Sequence, residues 1–224
     1  MVAQRKKLIK TSQKYEKHDY AKREFRENKI ITTHKKKINK MFSNQILKKV
    51  LKQGKILVVD SIKEGSRTNL LQSGFENSKI ITVDKNCEKT GSLYNKTTLC
   101  EYATKCVERE FKGIFADVIA SPKNSIREIK PFFERGLLMN DSILAVTFCP
   151  RNCSPSQLGR FHPEITKLGK RNNYDCVPID LTDDYRIPTK KKSKFNIKKN
   201  MTDNGANGRT GRTVTAFYNV KKLN

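Results

Sequence analysis

From residue 55 onward the apolar positions fall into short runs separated by polar or amphipathic stretches. Ile56-Leu57-Val58-Val59 is the first run, and Asp60 ends it. Asp60 to Ser66, with Gly65, reads as a turn, Arg67 to Phe75 as a helix, and Ile80-Ile81-Thr82-Val83 as a second run ending on Asp84. Short, nearly continuous apolar runs predict strands buried on both faces, and a helical stretch between two of them predicts a parallel crossover. Thr97-Thr98-Leu99-Cys100 reads as a short third strand ending at Glu101-Tyr102, and Thr104 to Phe111 as a polar helix. Ile114 to Ala120 is a fourth strand stopped by Ser121-Pro122. Ser125 to Leu138 is an amphipathic helix in which Pro131 predicts a kink or a split. Ser142 to Phe148 is a fifth strand, Ser156 to Lys170 a helix containing Pro163, and Tyr174 to Ile179 and Thr213 to Val220 are the last two strands. Ahead of all this, Ile38, Met41, Phe42, Ile46, Leu47, Val50 and Leu51 form a helical stripe, which Gly54 closes as a C′ residue.

Strands alternating with helices predict an α/β fold with a mainly parallel sheet. The reading divides the chain into a basic N-terminal arm, residues 1–40, helical or disordered, and an α/β domain, residues 41–224. A basic, glycine-rich insertion, residues 190–212, interrupts that domain and reads as mobile.

Charge changes the picture more than composition does. The 224 residues carry a formal net charge of +25. Up to Gly54 there are about 17 Lys and Arg against about 4 acidic residues, and from Arg186 onward about 11 against 1. The centre is left close to neutral. Coding bias toward Lys, Asn and Ile would raise the lysine count without concentrating it at both flanks. A polyanion such as DNA or RNA fits, because each neutralised phosphate releases counterions. Arg5, Lys6, Lys7, Lys10, Arg23, Arg26, Lys35, Lys36 and Lys37 in the arm are the expected phosphate contacts, with Tyr15, Tyr20 and Phe25 interleaved. Lys190, Lys191, Lys192, Arg209 and Arg212 are the corresponding residues of the insertion. Lys35 to Lys37 also resembles a nuclear-localisation patch.

A membrane partner is disfavoured, since the basic segments lack a wide apolar face and no apolar run reaches the roughly 18 residues of a span. The six cysteines form no CxxC pair, and Cys149-x3-Cys153 with His162 lacks a fourth zinc ligand at standard spacing. Free thiols in an intracellular, cytoplasmic or nuclear protein are expected, with no metal. His162, beside Pro163, reads as a helix-surface residue.

The segment from Lys55 to Asp84 has the form strand, glycine-bearing turn, helix, strand, acidic residue. Such a βαβ unit holds adenosine-type cofactors: a helix N-terminus offers N–H groups, and a carboxylate after the second strand accepts both ribose hydroxyls. Together with the later strands, this order resembles the Rossmann-like class I S-adenosylmethionine-dependent methyltransferases, a seven-stranded sheet flanked by helices, over about residues 55–222. The resemblance implies S-adenosylmethionine as cofactor. It places Asp60, Gly65 and Ser66 in the turn beneath the methionine part, Asp84 on the ribose, and Glu101 and Tyr102 near the adenine. Ser121 and Asp117 would lie beside the methyl acceptor. The sequence keeps one glycine where the family usually has two or three, and its Ser121-Pro122-Lys123-Asn124 lacks the second proline and the aromatic of the base amino-methylating enzymes. Two functions follow as expectations: a methyltransferase acting on DNA or RNA, or a nucleic-acid-binding protein that keeps the fold without the chemistry.

Overall fold

The computed structural model describes residues 38–45, 54–60, 65–85, 93–106, 111–118, 120–148, 155–179, 201–203 and 214–223. The basic arm up to Lys37, the insertion apart from residues 201–203, and Cys87, Cys149, Cys153, Ile62 and Glu64 lie outside these residues.

A helix over residues 38–45, α1, comes first. Gly54, at φ +91°, turns the chain into β1, Lys55–Val59. Then follow α2 (Gly65–Gln72), β2 (Ile80–Val83), β3 (Tyr94–Asn95), α3 (Leu99–Lys105) and β4 (Phe111–Ala116). The second half contains α4 (Pro122–Glu134), β5 (Leu138–Phe148), α5 (Pro155–Arg171), β6 (Tyr174–Pro178), β7 (Met201–Asp203) and β8 (Val214–Lys222). The strands form one sheet in the order β3-β2-β1-β4-β5-β8-β6, with β7 paired to β8 off this path. β1 to β5 are parallel, and β8 runs antiparallel between β5 and β6. This is the seven-stranded α/β sheet expected from the sequence, extended by one short strand.

Alternation along the strands builds a core on each face. On one face Ile56, Val58, Ile80, Phe115, Ile143, Ala145 and Phe217 pack under Ile38, Met41 and Phe42 of α1 and Leu70 of α2. Phe42 stacks on Phe115 with ring centroids 5.1 Å apart. On the other face Leu57, Ile81, Val83, Ile114, Leu144, Val146 and Tyr218 meet α3, α4 and α5. Ile38 and Asn39 are already buried, so the folded unit begins by residue 38 and reaches into the segment read as arm.

Several boundaries differ from the sequence reading, each for a local reason. The third strand is Tyr94–Asn95 and not residues 97–100. Thr98 instead N-caps α3: its hydroxyl accepts from the Glu101 N–H, and the Glu101 carboxylate accepts from the Thr98 N–H. Phe111 opens β4, because Lys112 finds a partner inside the sheet by donating to the Asn140 carbonyl at 2.7 Å. β5 starts at Leu138, passing through Asp141 at φ +60°, while the β4–β5 register shifts between Phe111 and Gly113. α4 stays one helix across Pro131, three residues before its end. His162 is buried at 8% exposure, and its Nδ1 lies 2.8 Å from the Tyr218 hydroxyl, so it is not a helix-surface residue.

Candidate functional site

The order of strands reverses between β1 and β4, and ligands of open α/β sheets sit at the carboxyl ends of strands at such a reversal. Each parallel strand on this side is followed by, or ends on, a polar residue: Asp60 after β1, Asp84 after β2, Asn95 at the end of β3 and Asp117 after β4. Val58 pairs with Phe115, so carrying the register two residues on brings Asp60 and Asp117 to neighbouring strand ends.

Asp60 is almost fully buried, at 3% exposure. Its Oδ2 accepts from the Ser66 N–H at 2.8 Å and the Arg67 N–H at 2.9 Å. The carboxylate therefore caps α2 and complements its positive end, closing two N–H groups that a ligand would otherwise meet. Ser66 is buried too, and its hydroxyl donates to Asn39 Oδ1 of α1 at 3.2 Å. A Cβ placed on Gly65 would sit 3.6 Å from Asn39 Nδ2, an ordinary contact, so no close backbone approach is what selects glycine here. Asp60 and Ser66 thus join the end of β1 and the start of α2 to α1.

At the neighbouring strand ends, the Asp84 N–H donates to the Asn95 carbonyl at 3.1 Å, which ties the ends of β2 and β3 together. The Asn95 amide nitrogen is buried with no hydrogen-bond partner. A buried donor left unsatisfied costs about 1–3 kcal/mol unless a ligand or water answers it. Asn95 was missed from the sequence because β3 was placed later in the chain; the capping box Thr98-x-x-Glu101 was the signal that would have moved it.

Glu101 and Tyr102 lie in the first turn of α3. The Glu101 carboxylate accepts from the Thr98 N–H, the main cause of its lowered pKa, and also from Thr97 Oγ1 at 2.9 Å. Tyr102 packs against the core, edge-on to Phe111 at 6.3 Å. Ser121 is exposed and N-caps α4, its Oγ accepting from the Asn124 N–H at 3.3 Å, while its own hydroxyl proton is left for another acceptor. Asp117 is half-buried just before it. All the basic residues expected to meet phosphate, from Arg5 to Lys37, Lys190 to Lys192, Arg209 and Arg212, lie outside the described residues.

Away from the crevice, the titratable groups of the sheet interior are structural. Burial pushes the Cys176 thiol up to about 12 and raises the Tyr218 phenol well above its usual range. Cys100, Cys106 and Cys176 are in no disulfide. Among the described residues no cluster of His, Cys, Asp and Glu is arranged for a metal ion, and no helix is long and apolar enough to cross a membrane.

No family model and no curated protein matches the sequence. Among solved structures the chain is similar to the Burkholderia thailandensis 1,6-didemethyltoxoflavin-N1-methyltransferase with bound 1,6-didemethyltoxoflavin and S-adenosylhomocysteine. That likeness has 11% identity and a TM-score of 0.49, over 92% of this chain and 87% of the other. A protein from Streptococcus mutans, provisionally named a methyltransferase and solved with S-adenosylhomocysteine, is similar at 13% identity and a TM-score of 0.42, over 81% and 95% of the two chains. A provisionally named rRNA methylase from Clostridium thermocellum follows at 11% identity and a TM-score of 0.43, over 80% and 95%. Likeness at such identity concerns the fold alone. The strand order and the antiparallel β8 define a class I methyltransferase-type sheet independently of it.

Proposed function

We propose that this chain is an S-adenosylmethionine-dependent methyltransferase acting on DNA or RNA. The observation that carries the cofactor half is the pairing of Asp84 with Asn95. A backbone hydrogen bond ties the residue after β2, Asp84, to the last residue of β3, Asn95, whose buried amide nitrogen has no partner. An adenosine offers both complements, vicinal ribose hydroxyls for the carboxylate and ring or sugar acceptors for the amide. Bound there, the cofactor supplies an activated methyl group on a sulfonium. Asp60 fixes the turn from Gly65 to Arg67 beneath it. In this reading Ser121 and Asp117, beyond β4, orient an acceptor and take the proton it loses on methylation.

The nucleic-acid half rests on sequence charge: the excess of Lys and Arg sits at the two ends of the chain while the centre is near neutral. Lysine acts on phosphate as a point charge, so this surface would bind with little sequence readout. One observation favours the reading without chemistry: Asp60 already occupies two N–H groups at the start of α2.

Calorimetric titration with S-adenosylhomocysteine separates the two. Saturable binding, lost on Asp84→Ala, is expected of the enzyme. No heat at about 1 mM ligand, where a dissociation constant corresponds to only ~4 kcal/mol, removes the cofactor reading. Salt dependence tests the other half. Deleting residues 1–37 should flatten the slope of log affinity for single-stranded DNA or RNA against log salt by several units, and an unchanged slope takes the arm out of the binding surface.

A further inference from the structure

Arg67 is buried at 2% exposure, and its guanidinium bonds to β2 and to the turn before it. Nη1 donates to the Ile80 carbonyl at 2.6 Å and to Thr82 Oγ1 at 3.2 Å. Nη2 donates to the Asn77 carbonyl at 3.3 Å and to its side-chain oxygen. The guanidinium carbon lies 4.8 Å from the centre of the Tyr94 ring, a cation–π contact.

The backbone explains why such a residue is needed. The Thr82 N–H donates to the Leu93 carbonyl at 2.8 Å and the Asp84 N–H to the Asn95 carbonyl at 3.1 Å, so the even-numbered residues of β2 turn their polar groups toward β3. Ile80 belongs to that set, yet the paired stretch begins only at Thr82↔Tyr94. Its carbonyl would be an unmet acceptor at a sheet edge, and Arg67 meets it. A strand of two residues has little pairing of its own to hold it. The ring of Tyr94 against Arg67 adds what the ladder lacks, and the next residue is Asn95. Arg67 is also the residue whose N–H binds Asp60, so one residue touches the turn after β1, the body of β2 and the start of β3.

We propose that Arg67 is the positioning residue of the cofactor crevice. Stacked on Tyr94 and bonded along β2, it holds β3 in register so that Asn95 and Asp84 meet the same adenosine; this rests on the cofactor reading above. Lysine cannot replace it, having neither the planar face for Tyr94 nor the fork that reaches Ile80 and Asn77 together.

The test is calorimetric titration of the full chain with S-adenosylhomocysteine, with thermal unfolding of each variant recorded without ligand. Tyr94 carries the main arm, since Arg67→Met itself risks unfolding. Tyr94→Leu is expected to weaken binding about tenfold, whereas Tyr94→Phe, which keeps the ring, stays within about twofold of the parent. In the Asn95→Ala background, Tyr94→Leu should cause no further loss, because its effect passes through Asn95. A purely structural role would lower the melting temperature and leave affinity intact, and that result overturns the proposal. Additive losses in the double variant overturn it as well. If the parent itself binds no ligand, the cofactor reading falls and takes this role with it. Binding by the parent with equal binding by Tyr94→Leu defeats the positioning role alone.

Discussion

The two sides of the sheet are held by different forces. Toward β8 the strands are long: β5 has 11 residues and β8 has 9, with paired register from Ser142↔Val220 to Phe148↔Val214. Their residues are buried and mostly apolar, and the helices above add aromatic contacts such as Phe148 on Phe161 at 4.2 Å. Toward β3 the strands shrink to four and then two residues, and side chains take over. Asp60 closes α2, Arg67 completes the edge of β2, and Asn95 leaves a donor unanswered. Burial area is nondirectional and stabilises, whereas hydrogen bonds fix positions. A crevice meant to recognise a polar ligand belongs on the side built from directional bonds.

Perturbing each side separately should break this comparison if it is wrong. The largest effect is expected on the apolar side. Phe148→Ala removes a fully buried ring from the carboxyl end of β5 and should cost about 3–5 kcal/mol in urea unfolding, while the folded protein keeps its affinity for S-adenosylhomocysteine. Gly169 in α5 comes next. A Cβ there would meet Cys176 Sγ at 2.6 Å and the Tyr174 carbonyl at 3.0 Å, so Gly169→Ala should cost about 1–3 kcal/mol. Gly159, in the same helix with nothing within 4 Å of its Cβ position, should gain about 0.5–1 kcal/mol when changed to Ala, and the pair of melting curves checks both signs. On the polar side Asp60→Ala should cost about 1–2 kcal/mol and raise hydrogen exchange at Ser66 and Arg67 ahead of the sheet.

Raising the pH has the smallest effect, and none near neutrality. Cys176 and Tyr218 are raised by burial from 9.0 and 10.0, Cys176 to about 12. Below pH 9 both are protonated whether folded or unfolded and the stability they carry is fully present. Above it the unfolded chain loses protons that the native chain keeps, so stability falls as pH rises through that window. Unfolding curves from pH 8 to 12 should show this decline. A flat profile would mean that water reaches the β6–β8 side.

What the sequence revealed follows the same division. β1, β2 and β5 were legible because a strand buried on both faces needs an uninterrupted apolar run, and Ile56 to Val59 or Ile143 to Phe148 can be little else. β3 was not, because two residues carry no period, and Tyr94-Asn95 looks like any polar loop. Thr97 to Cys100 has the β-branched content of a strand, but a hydroxyl three residues before Glu101 makes a helix start, and the local hydrogen bonds win. Lys112 and the polar stretch Met139 to Asp141 hid the lower ends of β4 and β5, since a lysine bonded to a carbonyl inside a sheet leaves no mark in an apolar pattern. Asp60 and Asp84 were read correctly as strand-end carboxylates; that Asp60 serves its own helix cannot be seen without the turn's geometry. The partner of His162, Tyr218, lies 56 residues away, beyond any periodicity.

The antiparallel insertion of β8 also sets the order in which the chain can fold. Among the described strands β6 borders β8 alone, so when the ribosome has produced β6 that strand has no partner to pair with. β1 to β5 can assemble during synthesis by successive crossovers, each joining neighbours in sequence or nearly so. The far edge must wait, with β6 unpaired, until β8 emerges and slots between β5 and β6. Such a delay favours capture by chaperones, and it makes the last strand the step at which a nascent chain either closes its sheet or aggregates.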